Sequence, residues 1–363
     1  METKKYEYID SLRGIAILLV ILVHVSFIDG ITPAMSYFNE TVLLFIKNGH
    51  LGVNLFFVVS AFTLMLSHQK RQYETHANRN FFIRRFFRIA PMYYLAIVYF
   101  TFAYYTGLDF THLNWDNVPK KELLTNVLFI NGFFPEYIHR YVPGGWSITV
   151  EFTFYAVFPF LFSKIKNINT AFIFTLTTLL ISTAANLILS GTSADHNNFL
   201  ELYIVAQLPV FSLGMLAFFI VTNKDKFAEV KLSSLAYLAV TVLIYCYVAI
   251  NYDFIYSVVF FLLLILLTRK AYPLLSNKIL AEIGKVSFSL YLMHFVTMTF
   301  FNRYGWMTWV KIDGMLSASL YFIFAYFCIF SVSYICSVIT HKFIEVPGQN
   351  LGKRLIKKLE RQK

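Results

Sequence analysis

Apolar residues recur in runs long enough to cross a bilayer, and polar residues gather between them. A spanning helix needs about 20 apolar residues. Runs of that kind fall at about 11–28, 51–68, 88–107, 146–163, 168–190, 201–222, 232–250, 252–268, 283–302 and 315–340. The pattern predicts an all-α, polytopic membrane helix bundle of about ten transmembrane helices. Residues 122–135 are apolar but too short to span, and read as a re-entrant or interfacial segment. The first run carries Arg13 and His24 and lacks a small-residue cleavage site, which argues against a cleaved signal peptide.

Composition agrees. Of the 363 residues, 58% are hydrophobic and only 14% charged, against about 25% charged in soluble domains. So much apolar surface does not fit inside one water-soluble core. The formal net charge is +11. If both termini are cytoplasmic, 25 of the 31 Lys and Arg lie in inner segments. Lys47, Lys120, Lys121, Arg140, Arg303 and Lys311 are the outer ones. That asymmetry matches the positive-inside rule. The four tryptophans, Trp115, Trp146, Trp306 and Trp309, are then expected at or near the outer interface. Placing the charge excess between spans favours topology and anionic ligands over nucleic acid. Cys246, Cys328 and Cys336 lie in apolar stretches and show no metal-ligand spacing. No internal repeat or second domain is evident. Residues 1–345 are expected to form the membrane domain, and 346–363 a basic cytoplasmic tail at the inner surface.

Ionisable groups inside a bilayer are costly, so the few within these runs are the candidates for chemistry. Arg13 and His24 are eleven residues apart. They share a helix face about 16 Å apart along the axis, with Asp10 or Ser11 placed to cap the helix. A neutral imidazole in a polar cavity suits proton abstraction from a hydroxyl. The same pair also reads as a packed histidine and a snorkelling arginine. Arg84 and Arg88, four apart and sharing a helix face with Arg85 beside them, form a basic cluster in the loop after the second span. Guanidinium forks match phosphate oxygens, and Pro91 is expected to kink the following helix. A plain lipid-facing anchor is the other reading. Ser147, Glu151 and Tyr155 repeat every four residues, and Trp146 is placed for sugar stacking or simply marks the interface. Glu151 must pair, be protonated or face water; it is a candidate to orient an imidazole or bind a sugar hydroxyl. Ser287, Tyr291 and His294 line another face, as a polar cavity wall or as interhelical hydrogen bonding. Weaker signals are Gly49, His50, Gly52, Asn54, Ser60, Glu345 and Pro347.

Taken together these segments resemble the acyltransferase 3 family of integral membrane O-acyltransferases. Asp10-Ser-Leu-Arg13-Gly-Ile-Ala with His24 is similar to its first-helix signature, and Gly52-Val-Asn-Leu-Phe-Phe-Val-Val-Ser60 to its second-helix pattern. Ala61 departs from the glycine that often follows that serine. Arg84-Arg-Phe-Phe-Arg88-Ile-Ala-Pro91 resembles the basic motif, and Trp146-Ser-Ile-Thr-Val-Glu151 the mid-chain motif. Ser287 to His294 and Phe343-Ile-Glu-Val-Pro347 resemble the late motifs. The resemblance spans most of the chain in the family's order.

It implies transfer of an acyl group, commonly acetyl, from cytoplasmic acyl-CoA to a hydroxyl of a bacterial cell-surface polysaccharide or its lipid-linked precursor, without a metal, in the plasma membrane. Some relatives carry an extracytoplasmic SGNH-type hydrolase domain. The expectation here is action alone or hand-over to a separate protein. On the family pattern Arg84, Arg85 and Arg88 bind CoA phosphates and His24, about 20 Å further out by helix rise, is the general base. Glu151 orients His24 or positions the acceptor, and Arg13 positions the donor or stabilises charge on the thioester oxygen. Trp146, Ser147, Tyr291 and His294 line the substrate site. The competing readings are a proton-coupled transporter, a non-enzymatic binding scaffold, and an enzyme transferring succinyl or acting on a non-glycan.

Overall fold

The computed structural model describes residues 7–106, 120–193, 196, 198–222, 252–270 and 272–361. No strand occurs among them. The helices are α1 (Glu7–Val25), α2 (Glu40–Lys47), α3 (Gly52–Arg71), α4 (Ala77–Tyr105), α5 (Lys120–Val127), α6 (Gly145–Lys164), α7 (Ile168–Leu189), the single turn α8 (Phe199–Leu202), α9 (Ile204–Thr222), α10 (Tyr252–Arg269), α11 (Lys278–Lys285), α12 (Ser287–Arg303), α13 (Met315–Thr340) and α14 (Val346–Arg361). Seven helical segments among the described residues are long and apolar enough to cross a membrane. There are eight if α11 and α12, bent by 73°, form one broken span. The predicted span at 232–250 lies outside the described residues, as does Trp115.

Several boundaries differ from expectation, each for a local reason. The basic stretch around Arg84 is helix rather than loop: α4 starts at Ala77 and continues past Pro91 to Tyr105. Arg is a good helix former, and Phe and Ile cost too little to break the helix. α1 already includes Asp10 and Ser11, so neither caps it. The basic tail is the helix α14, joined to α13 by a π-helical turn at His341–Glu345. The short stretch 122–135 overlaps α5, which starts two residues earlier, and holds a 3-10 turn at Asn131–Phe133.

The chain divides into two compact units. The first comprises Met1–Val53, Phe86–Lys120 and Leu274–Lys363. Its centre is the crossing of α1 and α11. A β-carbon on Gly14 would strike the carbonyl of Leu280, and one on Gly284 the carbonyl of Asp10. The two backbones touch because both positions lack side chains, the usual route to close helix contact where water offers no hydrophobic drive. Ser11 donates to the Asn277 carbonyl at 3.2 Å, and Tyr326 on α13 donates to the Leu18 carbonyl at 3.1 Å. α12 packs on α13, where Ser333 donates to Thr297 at 3.0 Å. Such interhelical hydroxyl bonds satisfy groups that lipid leaves bare.

The second unit comprises Asn54–Arg85 and Lys121–Pro273. α9 packs against α7, α10 and α6. Phe211 of α9 is stacked between Phe57 of α3 at 4.5 Å and Phe154 of α6 at 4.1 Å. Offset aromatic stacks add to packing where the hydrophobic effect is weak. α7 begins with a capping box on Asn167 and Thr170.

Candidate active site

In the first unit, His24 lies in the last turn of α1 and is half-buried. Its Nδ1 is 2.7 Å from the Val20 carbonyl. A carbonyl only accepts, so Nδ1 carries the hydrogen and Nε2 carries the lone pair. His294 of α12 is fully buried, and its Nδ1 is 3.2 Å from the Leu290 carbonyl. The same logic leaves His294 Nε2 as an acceptor, 3.3 Å from His24 Nδ1. The N–H of His24 is therefore shared between a carbonyl and a second imidazole, while its Nε2 has no hydrogen-bond partner among the described residues. Phe295 meets the His24 ring edge-on at 4.7 Å, and Tyr291 sits 5.8 Å from His294. Arg13 pairs with Asp10 at 3.3 Å, one turn away on α1.

A second polar node in this unit centres on Glu345, which is buried in the π-turn. It accepts from Ser289 at 2.8 Å, His341 at 3.1 Å and Gln349 at 3.2 Å. Arg88 lies within electrostatic reach of His341. A carboxylate met by three donors is stable in a low-dielectric setting. π-turns are frequent at functional sites.

In the second unit, Glu151 of α6 is half-buried. Its Oε1 accepts from Ser60 at 2.6 Å and from Tyr155 at 2.5 Å. The four-residue spacing read from the sequence thus becomes a direct bond, and Ser60 joins it from α3. Ser147 instead donates back to the Gly144 carbonyl at 2.9 Å. Trp146 packs with Phe57 and the cluster around Ile138, Phe199 and Tyr203.

The basic cluster shows division of labour. Arg84 forms a two-pronged pair with Glu74, with Nη1 and Nη2 at 3.0 Å from Oε2. Glu74 also takes a hydrogen bond from Asn80 at 3.1 Å and lies 3.9 Å from Arg71. Burial alone would push the Glu74 carboxyl up, but the bonds from Asn80 and Arg84 outweigh it and hold the group below the usual range. Arg85 reaches Ser67 at 3.4 Å, and its guanidinium lies 5.6 Å from the rings of Phe81 and Tyr155. Glu74 offsets one charge among Arg71, Arg79, Arg84 and Arg85, so the region stays net basic. Among the described residues no group of three or more His, Cys, Asp or Glu is arranged to hold a metal ion.

Sequence reasoning did not single out Asp10 as the partner of Arg13, Glu74 as the partner of Arg84, or His294 as the neighbour of His24. The polar loop between the second and third runs was the available signal for Glu74. Nothing local signals a contact between residues 270 positions apart.

Residues 6–338 match the family model described as an acyltransferase domain, acyltransferase 3. The chain belongs to the acyltransferase 3 family. A Staphylococcus aureus (strain COL) protein carrying the name "Putative O-acetyltransferase" is 25% identical over 96% of this chain and 58% of its own length. This chain therefore spans somewhat more than half of that relative. A protein of Acidianus two-tailed virus, named "Putative acetyltransferase", is 25% identical over 79% of this chain and 81% of its own length. A Rhizobium radiobacter protein named for the picA locus is 29% identical over 43% of this chain and 81% of its own length. No solved structure matches.

Proposed function

We propose that this acyltransferase 3 member moves an acyl group, acetyl in the first instance, from cytoplasmic acyl-CoA to a hydroxyl of a cell-surface polysaccharide or its lipid-linked precursor. It works as a multi-pass protein of the bacterial plasma membrane, with both termini cytoplasmic and about ten spans. The observation that carries the reading is the 2.7 Å contact between His24 Nδ1 and the Val20 carbonyl. With Nδ1 donating to the Val20 carbonyl at 2.7 Å, Nε2 is left with its lone pair, the form a general base needs.

In the proposed reaction, His24 Nε2 takes the proton of the acceptor hydroxyl as the oxygen attacks the thioester carbonyl. The C–S bond then breaks, CoA leaves as the thiolate, and the proton on His24 passes to it. His294 Nε2, accepting at Nδ1, stabilises the imidazolium during this transfer. Arg13 counters negative charge near the donor, and Glu151, braced by Ser60 and Tyr155, positions the acceptor. Arg84, Arg85 and Arg88 bind the CoA phosphates as guanidinium forks do. Tyr291, Ser147 and Trp146 complete the substrate surroundings. The names of the Staphylococcus and viral relatives support acetyl as the group carried.

The test uses the full chain in lipid nanodiscs with acetyl-labelled acetyl-CoA and membrane extracts containing lipid-linked glycan. Label appearing in ester linkage on carbohydrate supports the reading. Label confined to acetyl-CoA, together with glycans of unchanged mass in cells carrying or lacking the gene, refutes it.

A further inference from the structure

The first unit contains an imidazole–carboxylate pair that the proposed reaction does not use. It sits in the π-turn His341–Glu345, just past the end of α13 at Thr340. Glu345 is only 3% exposed, and both of its oxygens are taken. Oε2 accepts from Ser289 at 2.8 Å and from His341 Nδ1 at 3.1 Å, and Oε1 accepts from Gln349 at 3.2 Å. His341 differs. Its side chain is 26% exposed, and its Nε2 has no hydrogen-bond partner among the described residues. A carboxylate only accepts, so Nδ1 carries a hydrogen, and a ring bonded in this way is favoured as the imidazolium. Its Nε2–H is then a charged donor on the side of the ring away from Glu345.

The surroundings of this donor are basic. α14, which continues from the turn, is seated on α4: a β-carbon on Gly348 would strike Pro91, and one on Gly352 would strike Phe87. That contact holds the turn near the stretch of α4 that carries Arg88, a half-buried residue whose charge acts on His341. α4 has no acidic residue along its whole length. From Met315 to Leu359 the only acidic residue is Glu345, against Lys342, Lys353, Arg354, Lys357 and Lys358. One buried carboxylate therefore faces two cations, Arg88 and His341, and the local charge is net positive. A guanidinium beside an imidazolium N–H suits a phosphate, whose oxygens accept from both.

We infer that His341 is a further phosphate-binding residue of the donor site, with Glu345 as the positioning residue that holds its ring beside Arg88. The inference rests on the proposed function for taking that phosphate as one of CoA's. The anion-binding chemistry rests on the turn and its neighbours alone.

The experiment titrates CoA by calorimetry into the full chain in phosphatidylcholine nanodiscs. His341→Gln should weaken CoA binding about fivefold or more, and His341→Lys, which keeps a cation, should restore it to within about twofold of wild type. Nitrogen NMR of histidine-labelled protein supplies a readout that a structural role would not move. The Nε2 signal that vanishes in His341→Gln should shift on adding CoA and stay in place on adding pantetheine, which lacks the phosphates. Glu345→Gln should move that signal towards the neutral imidazole range and weaken CoA binding; if this buried variant fails to fold, the two His341 variants still decide. Equal CoA affinity in wild type and His341→Gln overturns the inference. So does an equal loss in His341→Gln and His341→Lys, which would make the ring's shape rather than its charge responsible, or an equal shift with pantetheine. A shift of the Nε2 signal produced by phosphatidylglycerol in the nanodisc and not by CoA would assign the seat to a lipid headgroup and overturn it as well. CoA binding that depends on His341 in a protein that transfers no acyl group would sink the proposed function and leave this site standing. Normal transfer with an unchanged donor KM in His341→Gln would do the reverse.

Discussion

Replacing His294 probes whether the paired imidazoles act together. His294 Nε2 accepts from His24 Nδ1 at 3.3 Å, and that N–H is already shared with the Val20 carbonyl at 2.7 Å. A hydrogen bond to a charged partner contributes about 1.5–3 kcal/mol. The long distance and the shared hydrogen put this one near the lower end, about 1–2 kcal/mol in the transition state, when His24 is protonated. Every 1.36 kcal/mol is tenfold in rate, so His294→Ala should lower kcat about 5- to 30-fold. The acceptor KM should move less, because the bond strengthens only as the proton arrives. His294→Gln, whose Oε1 can accept in the same place, should recover part of the loss. The assay is acetyl transfer by the full chain in nanodiscs, following kcat and KM separately, with melting temperature as the control on folding. A loss as deep as that of His24→Ala would mean that His294 is itself the base. No loss at all would mean that the contact is packing only.

Three other perturbations follow from the same geometry. Glu74→Gln releases Arg84 from its two-pronged pair and should raise affinity for CoA several-fold by calorimetry while lowering stability by about 1 kcal/mol; unchanged affinity would remove Arg84 from the phosphate site. The Glu74 carboxyl is held below its usual value, so its stabilisation is complete above the unfolded pKa of about 4.3 and fades as pH falls through the depressed folded value. The stability gap between wild type and Glu74→Gln should close in that acid range, and a constant gap would refute the pairing. Tyr155→Phe removes the 2.5 Å donor to Glu151 and should slow transfer about tenfold through an interaction of about 1.5 kcal/mol; its effect should be less than additive with Ser60→Ala, and strict additivity in a double-mutant cycle would deny a shared node. Gly284→Val leaves no room against the Asp10 carbonyl and should cost more than about 2 kcal/mol, read as loss of folded protein after extraction; a normal melting temperature would show that α1 and α11 can part freely.

Much of the helical plan is legible in hydropathy because lipid leaves the backbone few options. The runs at 146–163 and 168–190 become α6 and α7 with ends moved by a residue or so. Where reading fails, the cause is local. The Arg-rich stretch at 84–88 looks like an inner loop because of its charge, yet Arg, Phe and Ile are adequate helix formers and α4 continues through them. Pro91 does not end that helix. The four-residue spacing of Glu151 and Tyr155 is visible in sequence and is realised as a bond. The partnership of His24 with His294 joins positions far apart in the chain, and only packing reveals it.

The central claim is that His24 Nε2 accepts the acceptor's proton. His24→Asn tests it most directly, since the asparagine amide can still donate to the Val20 carbonyl but has no lone pair where Nε2 stood. Loss of a general base costs about 10²- to 10⁴-fold. Transfer by His24→Asn should fall by that factor with CoA binding and melting temperature unchanged. Transfer within a few-fold of wild type would contradict the account.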